Sequence, residues 1–503
     1  MQQKWCATLP KPNRKTQKDL KTSQRDPAAQ SATRRTRYLL GLVAGLIGLT
    51  ILGLLLSTQK RGNPAQSELP PLRIVEIEGK THAQTDALAL AKFIEQHQLP
   101  EIPDFSQLSV RTAQDIHHAL QPIADRPIDA DAWGQLGRVF HGHKYSTKAL
   151  DCYSQASVLA PNDFQWPYYQ GRIHADAFEY EPAIEAYNRS AELNADYAPT
   201  FLALGNAYAQ LGKNRQAKQA YQRFVTLRPT SSHGYFGLAQ IAFDEENYPV
   251  AIELLSRVVA GHPRDFRAHN LLGQIYQRIG FTEKASFHLA QLKNLDQQDQ
   301  ITKHVFYDDP LYHQVLSSNT TDAAISERLR AAMKFKQEEV AIRLALELCK
   351  RHPDDAARMH SLSVAYKLSK QFQQALIHAE KAISLDEDLL EAHLTRAQIL
   401  MILRRNEEAL KLLEWVVTQD PDSFEGQYYR GTALVLSKQY RSAVEAFQQA
   451  IRINGVSARA HVALAEALNQ TGQSAEAMEE YRRALDLDPT NSRAIQKLRA
   501  NQP

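Results

Sequence analysis

The chain has 503 residues, 43% hydrophobic and 23% charged, with only 21 Gly and 22 Pro, a composition that buries a substantial core and excludes a largely disordered or collagen-like chain. The formal charge is +3, but residues 1–37 hold ten Lys/Arg against Asp19 and Asp26, a surplus of eight that leaves the remainder acidic by five. The basic character is therefore local, and with both charge signs interspersed beyond residue 37 it gives no support for a nucleic-acid surface there, so no nucleic-acid partner is expected.

Residues 1–37 read as a disordered, basic, cytoplasmic tail. Residues 38–57, YLLGLVAGLIGLTILGLLLS, follow without a charge, and 20 residues at about 1.5 Å each span about 30 Å of hydrocarbon. The segment predicts one transmembrane helix. It is longer than the apolar region of a cleaved signal peptide, and no small-x-small cleavage site precedes Lys60-Arg61. Lys21, Arg25, Arg34, Arg35 and Arg37 before the span outweigh Lys60, Arg61 and Arg73 after it, which places the N-terminus in the cytoplasm and the rest outside it. In a two-membrane bacterium that compartment is the periplasm. Gly41 and Gly45 form one GxxxG pair, too common a pattern to establish self-association.

Residues 58–129 read as a linker and N-terminal cap. GNPAQSELPP (62–71) predicts an extended spacer, RIVEIE (73–78) a short strand, and Thr81–Gln98 a helix from the spacing of Ala87, Leu90, Ala91 and Ile94. A further helix is predicted from Ser109 to about Leu120. These pieces would cover the outer apolar face of the helical region that begins at residue 130.

From residue 130 a 34-residue period takes over. Ala149, Ala183, Ala217, Ala251 and Ala285 recur in one register, and Ala341, Ala375, Ala409, Ala443 and Ala477 in a second. Two helices whose axes approach to about 8–10 Å leave room for little more than a methyl group at their crossing, and alanine carries no helix-propensity penalty. The first unit, 130–163, places Trp133, Leu136, Gly137, Phe140, Ala149, Tyr153, Ala156 and Pro161 at positions 4, 7, 8, 11, 20, 24, 27 and 32. This resembles the tetratricopeptide pattern. The expected fold is all-α: a helical-hairpin solenoid of two five-repeat arrays, 130–299 and 322–491, with one N-terminal transmembrane helix. Residues 300–321 form a joint in which Asp309-Pro310 starts a helix and Ser317–Thr321 breaks it. Leu329 makes the repeat opening the second array degenerate, and 492–503 add a terminal capping helix.

The resemblance implies protein binding by the concave face of each array, where an extended peptide or an amphipathic helix lies on the first helix of each repeat. Its groove positions fall on Tyr168, Arg172 and Asp176, on Asn206 and Gln210 beside Leu202, on Phe236 and Gln240, and on Asn270, Gln274 and Arg278. Tyr168 and Phe236 would be exposed aromatics without a ligand. In the second array the face holds His360, Lys367, Leu394, Gln398, Met401, Tyr428, Glu466 and Asn469, and Ile402, Val435 and Leu436 make it more apolar. A partner's amphipathic helix and the chain's own N-terminal segment are equally open as its cover. Leu202 stands where a chaperone-tail clamp needs lysine, so that ligand is not expected.

No catalytic residue, cofactor or metal site is expected. Phosphate loops, nucleophile elbows and His-Glu-x-x-His are absent from the sequence. His117/His118 and His141/His143 lack a completing ligand set, and the second pair reads as a solvated turn. Cys6, Cys152 and Cys349 contain no Cys-x-x-Cys pair, and the latter two read as small buried hydrophobes. The repeats run to within twelve residues of the end, leaving no room for an appended catalytic domain. The expected function is a non-enzymatic, membrane-anchored scaffold or adaptor. Two alternatives are an accessory subunit of an envelope enzyme, for example in cytochrome maturation or cell-wall synthesis, and a basic tail that itself recruits a cytoplasmic partner or anionic lipid.

Overall fold

The computed structural model describes residues 68–77, 80–263, 265–293, 309–488 and 491–500. The expected basic tail, the apolar span 38–57, the Gly41/Gly45 pair, Cys6 and most of the joint lie outside the described residues. Among the described residues no helix is long and apolar enough to cross a membrane.

The described chain opens with a hairpin. Strand β1 (Arg73–Ile77) pairs antiparallel with β2 (Lys80–Gln84), Ile74 opposite Ala83 and Val75 opposite His82. The helix expected from Thr81 starts later, as α1 (Ala87–His97), because Thr81–Gln84 satisfy their backbone groups in the hairpin and the Asp86 carboxylate caps the Ala89 N–H at 3.0 Å. Helix α2 (Val110–Asp125) is capped by Ser109 and continues through Pro122, five residues past the expected end at Leu120. Its Ala113, Ile116, Ala119, Leu120 and Ile123 are buried in the core that includes the first repeat.

Ten helical hairpins come next. In the first array they are α3 (Ala130–Gly142) with α4 (Ser146–Leu159), α5 (Gln165–Asp176) with α6 (Tyr180–Leu193), and α7 (Ala198–Gln210) with α8 (Asn214–Leu227). Helices α9 (Ser232–Asp244) with α10 (Tyr248–Gly261) and α11 (Phe266–Arg278) with α12 (Thr282–Lys293) complete it. Helix α13 (Pro310–Ser318) precedes the second array. That array pairs α14 (Asp322–Lys334) with α15 (Glu338–Arg351), α16 (Ala356–Leu368) with α17 (Phe372–Leu385), and α18 (Leu390–Ile402) with α19 (Asn406–Gln419). Then come α20 (Phe424–Leu436) with α21 (Tyr440–Ile453), α22 (Ala458–Gln470) with α23 (Ser474–Leu487), and the closing helix α24 (Ser492–Ala500). The result is a helical solenoid of the tetratricopeptide type, with the hairpin at its N-terminal end.

Nine of the ten periodic alanines are fully buried, and Ala285 nearly so. Where position 8 of the period is glycine, it faces a side chain of the second helix: a Cβ on Gly171 would lie 2.7 Å from the Tyr187 ring, and one on Gly205 2.5 Å from the Tyr221 ring. Small residues thus set the spacing of each hairpin, and the large buried rings fill what remains. The core divides into local clusters, each shared by neighbouring repeats, as expected of a chain in which each repeat meets mainly its neighbours.

Both helices of each hairpin are joined through a left-handed residue at one position of the period. Lys144, Phe178, Glu246, Lys336, Lys370, Arg404 and Lys438 take it with φ between 53° and 68°, and Gly212, Gly280 and Gly472 take it without a Cβ. The 34-residue period therefore extends to backbone conformation, although the side chain at this position varies too widely to mark it in the sequence.

Candidate protein-binding grooves

The groove positions of the first array lie on the first helices of its hairpins, Tyr168 and Arg172 on α5 and Asn206 on α7. The joint returns to this face. Asp309 caps α13 by accepting from the Tyr312 N–H at 3.1 Å, and the same carboxylate accepts from the Tyr168 hydroxyl and, at 2.7 Å, from the Tyr197 hydroxyl. Tyr169 donates to the Leu311 carbonyl at 3.2 Å, and the Arg172 guanidinium lies 4.0 Å over the Tyr312 ring. Leu311 and Val315 are buried in the same core as Tyr153, Tyr168 and Tyr169.

Farther along, Ser318 Oγ donates to the Arg138 carbonyl at 2.7 Å and Asn319 Nδ2 to the Gly142 carbonyl at 3.0 Å. Gly142 is needed for this approach, since a Cβ there would lie 2.7 Å from the Val315 carbonyl oxygen. Thr320 donates from its N–H and its hydroxyl to Asp115, at 2.9 and 2.6 Å. The second array thus starts beside α2. Arg351, His352 and Arg358 gather on Asp322 there; burial raises the Asp322 pKa, but hydrogen bonds from those three hold the carboxyl below its usual range.

The expectation that Tyr168 faces a partner is corrected by this arrangement: the ring is fully buried, covered by the chain's own residues 309–320. A one-dimensional period carries no signal for a contact between residues 141 apart in the chain. The histidines also depart from expectation. His141 and His143 do not form a solvated turn. His143 Nε2 lies 2.8 Å from Asp115 Oδ2 with both side chains buried. His141 is buried beside the Tyr153 hydroxyl, and burial, with Arg172 and Lys144 adding repulsion, lowers its pKa to about 3. His117 Nε2 contacts the Pro70 carbonyl at 2.8 Å. Cys152 and Cys349 are both buried, and burial raises their thiol pKa values, that of Cys349 to about 11.

Beyond the covered section the face is open. Asp176, Asn206, Gln210, Gln274 and Arg278 are exposed; Asn206 accepts from the Tyr221 hydroxyl at 2.8 Å, and Gln240 donates to Asp244 at 3.1 Å. A cavity of about 410 Å³ lies between α9 and α11, lined by Phe236, Gln240, Phe243, Phe266, Arg267, Asn270, Leu271 and Gln274. Arg267 stacks 4.5 Å over Phe236 and Arg278 4.6 Å over Phe243, so the aromatic walls carry cationic edges. Such a pocket accepts an apolar side chain while the amides meet a backbone.

On the second array the polar groove residues bond mainly to one another. His360 Nε2 lies 2.9 Å from Thr395 Oγ1, and Lys367 donates to Gln398 Oε1 at 2.7 Å; burial lowers the Lys367 pKa. Asn469 Nδ2 reaches the Tyr481 hydroxyl at 3.5 Å. Glu466 pairs with Arg493 of α24 and Tyr428 packs beneath Arg459 at 4.7 Å, so both residues are engaged by the chain itself. Leu394 is half-buried and Met401 buried, while Ile402 and Leu436 remain exposed.

Fold and grooves together define a helical repeat protein with elongated side-chain-lined faces. The tetratricopeptide repeat family model matches residues 202–265, 236–280, 394–453 and 433–492, so tetratricopeptide repeats are present in both arrays. The chain is 24% identical to anaphase-promoting complex subunit 3 of Schizosaccharomyces pombe over 35% of its length, and 20% identical to DnaJ homolog subfamily C member 7 of Mus musculus over 57%. It spans 26% and 66% of those relatives. A thermophilic tetratricopeptide protein of Thermus thermophilus aligns over 36% of this chain and 98% of its own, with 17% identity and a TM-score of 0.33.

Proposed function

We propose that this protein is a non-enzymatic scaffold that recruits partner proteins through its concave grooves and is held at a membrane by residues 38–57, with the repeats outside the cytoplasm. The observation that carries the reading is α13. The first array holds a short helix and its flanking turns by hydroxyl, guanidinium and ring contacts along Tyr168, Arg172 and Tyr197, the chemistry by which such a face takes a peptide. The cavity at Phe236 and Asn270 continues the same face without such a cover among the described residues.

The test is capture of the full chain from solubilised native membranes, wild type against a Phe236→Ala, Asn270→Ala, Gln274→Ala variant, with copurified proteins identified. Partners held by wild type and lost from the folded variant are expected. An unchanged partner set would reject this groove, and recovery of the chain in the soluble fraction would reject the anchor. A single enzyme at fixed stoichiometry would instead identify the accessory subunit of an envelope enzyme.

A further inference from the structure

Three repeats carry histidine at the position where the first repeat carries Trp133, whose indole N–H donates to the Pro127 carbonyl at 2.8 Å. Each histidine repeats that bond through Nε2: His269 to Pro263, His393 to Glu387 and His461 to Gly455, at 3.0, 2.9 and 3.2 Å. Nδ1 then faces the second helix of the same hairpin. In His461 it meets Glu480 Oε2 at 2.6 Å, and in His269 it meets His288 at 3.0 Å. The residue at that place opposite His393 is Leu412, and His393 Nδ1 is buried with no hydrogen-bond partner. His393 is only 8% exposed, so the orphaned nitrogen lacks solvent as well.

Beside it a cavity of about 430 Å³ opens between α18 and α19, walled by Leu400, Leu412 and Trp415, with Arg396 and Lys411 at its edge. Trp415 lies 4.2 Å from the His393 ring, and Arg396 Nε is also buried without a partner. Glu408, at the rim, is held by Arg405 at 2.6 Å, and Arg396 is paired to Glu380 at 3.0 Å through Nη2. We infer that this cavity receives a glutamate or aspartate side chain of a partner protein, which displaces the Leu412 side chain so that its carboxylate takes against His393 Nδ1 the place that Glu480 takes against His461. The imidazole then donates from both nitrogens, and Trp415 supports its charge from the ring face. Apolar walls favour a hydrophobic residue flanking the acid. None of the concave-face residues lines this cavity, so the site stands independently of groove binding.

The test titrates the full-length protein with acetyl-Phe-Glu-Phe-amide, acetyl-Phe-Gln-Phe-amide and free 3-phenylpropionate, read by calorimetry. Saturable binding of the glutamate peptide is expected, weakened at least about tenfold by the glutamine replacement. Leu412→Glu supplies the carboxylate internally and is expected to abolish that binding with helicity retained; His393→Phe removes the nitrogen and is expected to lose the Glu/Gln discrimination. Equal affinity for the two peptides, undiminished binding by Leu412→Glu, or no binding up to about 10 mM would overturn the inference. Binding of the free acid alone would overturn its peptide source.

Discussion

The Phe178 side chain is 77% exposed, yet its backbone holds φ 62° to turn α5 into α6. A residue with a Cβ is strained there, whereas glycine is not. Phe178→Gly is therefore expected to raise stability by up to about 1 kcal/mol, the relief of strain exceeding the added entropy of the unfolded chain; thermal melts of the two proteins decide it. His141 sits in the opposite situation, a titratable ring with its folded pKa lowered to about 3 from 6.5 by burial. The unfolded state takes up the proton first, so the stabilising contribution is whole above pH 6.5 and is lost as pH falls toward 3. Between pH 7 and pH 5 this one ring is expected to cost about 2 kcal/mol, and His141→Phe should flatten that part of a denaturant-midpoint profile against pH. An unaltered pH profile in the variant would assign the loss to other groups.

Helix α13 illustrates what an element does beyond its own length. Nine residues are too few for a stable isolated helix, and Pro310, Leu311 and Val315 say only that a helix starts after Asp309 and has one apolar side. The Asp309 carboxylate, 2% exposed, joins the cap to two tyrosines of the first array. Asp309→Asn replaces a carboxylate oxygen that accepts from these donors by an amide nitrogen that cannot, and is expected to weaken docking by about 2 kcal/mol. Hydrogen exchange at the α13 amides should accelerate accordingly while α8–α10 remain protected. Equal acceleration throughout the first array would mean that α13 is part of its global stability rather than a docked element.

At the scale of the whole molecule, contacts between neighbouring repeats dominate and the second array begins at Asp322, next to α2, rather than extending from α12. Stability in such a chain is a sum over repeats and their interfaces. Ala409, fully buried where α18 meets α19, is a place to test it. Ala409→Leu is expected to overpack that crossing by about 1–3 kcal/mol and to lower exchange protection first in α18–α20, leaving α3–α6 at wild-type protection. Simultaneous loss of protection in both arrays would show that the 309–322 connection couples them into one cooperative unit.

The sequence by itself determined the hairpins, their register and their crossing points, because a repeating contact between elements 34 residues apart leaves the same small residue at the same place each time: Ala149, Gly171 and Ala183 are recognisable from spacing alone. The groove positions came from the resemblance to tetratricopeptide repeats laid on that register. Only the tertiary structure decided which of them stay open. Covering Tyr168 depends on Asp309 and Leu311 crossing from the far side of the array, and burying His143 depends on Asp115 in a preceding helix. The orphaned nitrogen of His393 depends on Leu412 standing where another repeat has Glu480. The contacts of Tyr168 and His143 occur once, between partners whose separation no period encodes, so the physical driving force that selects them exists only after the repeats have stacked.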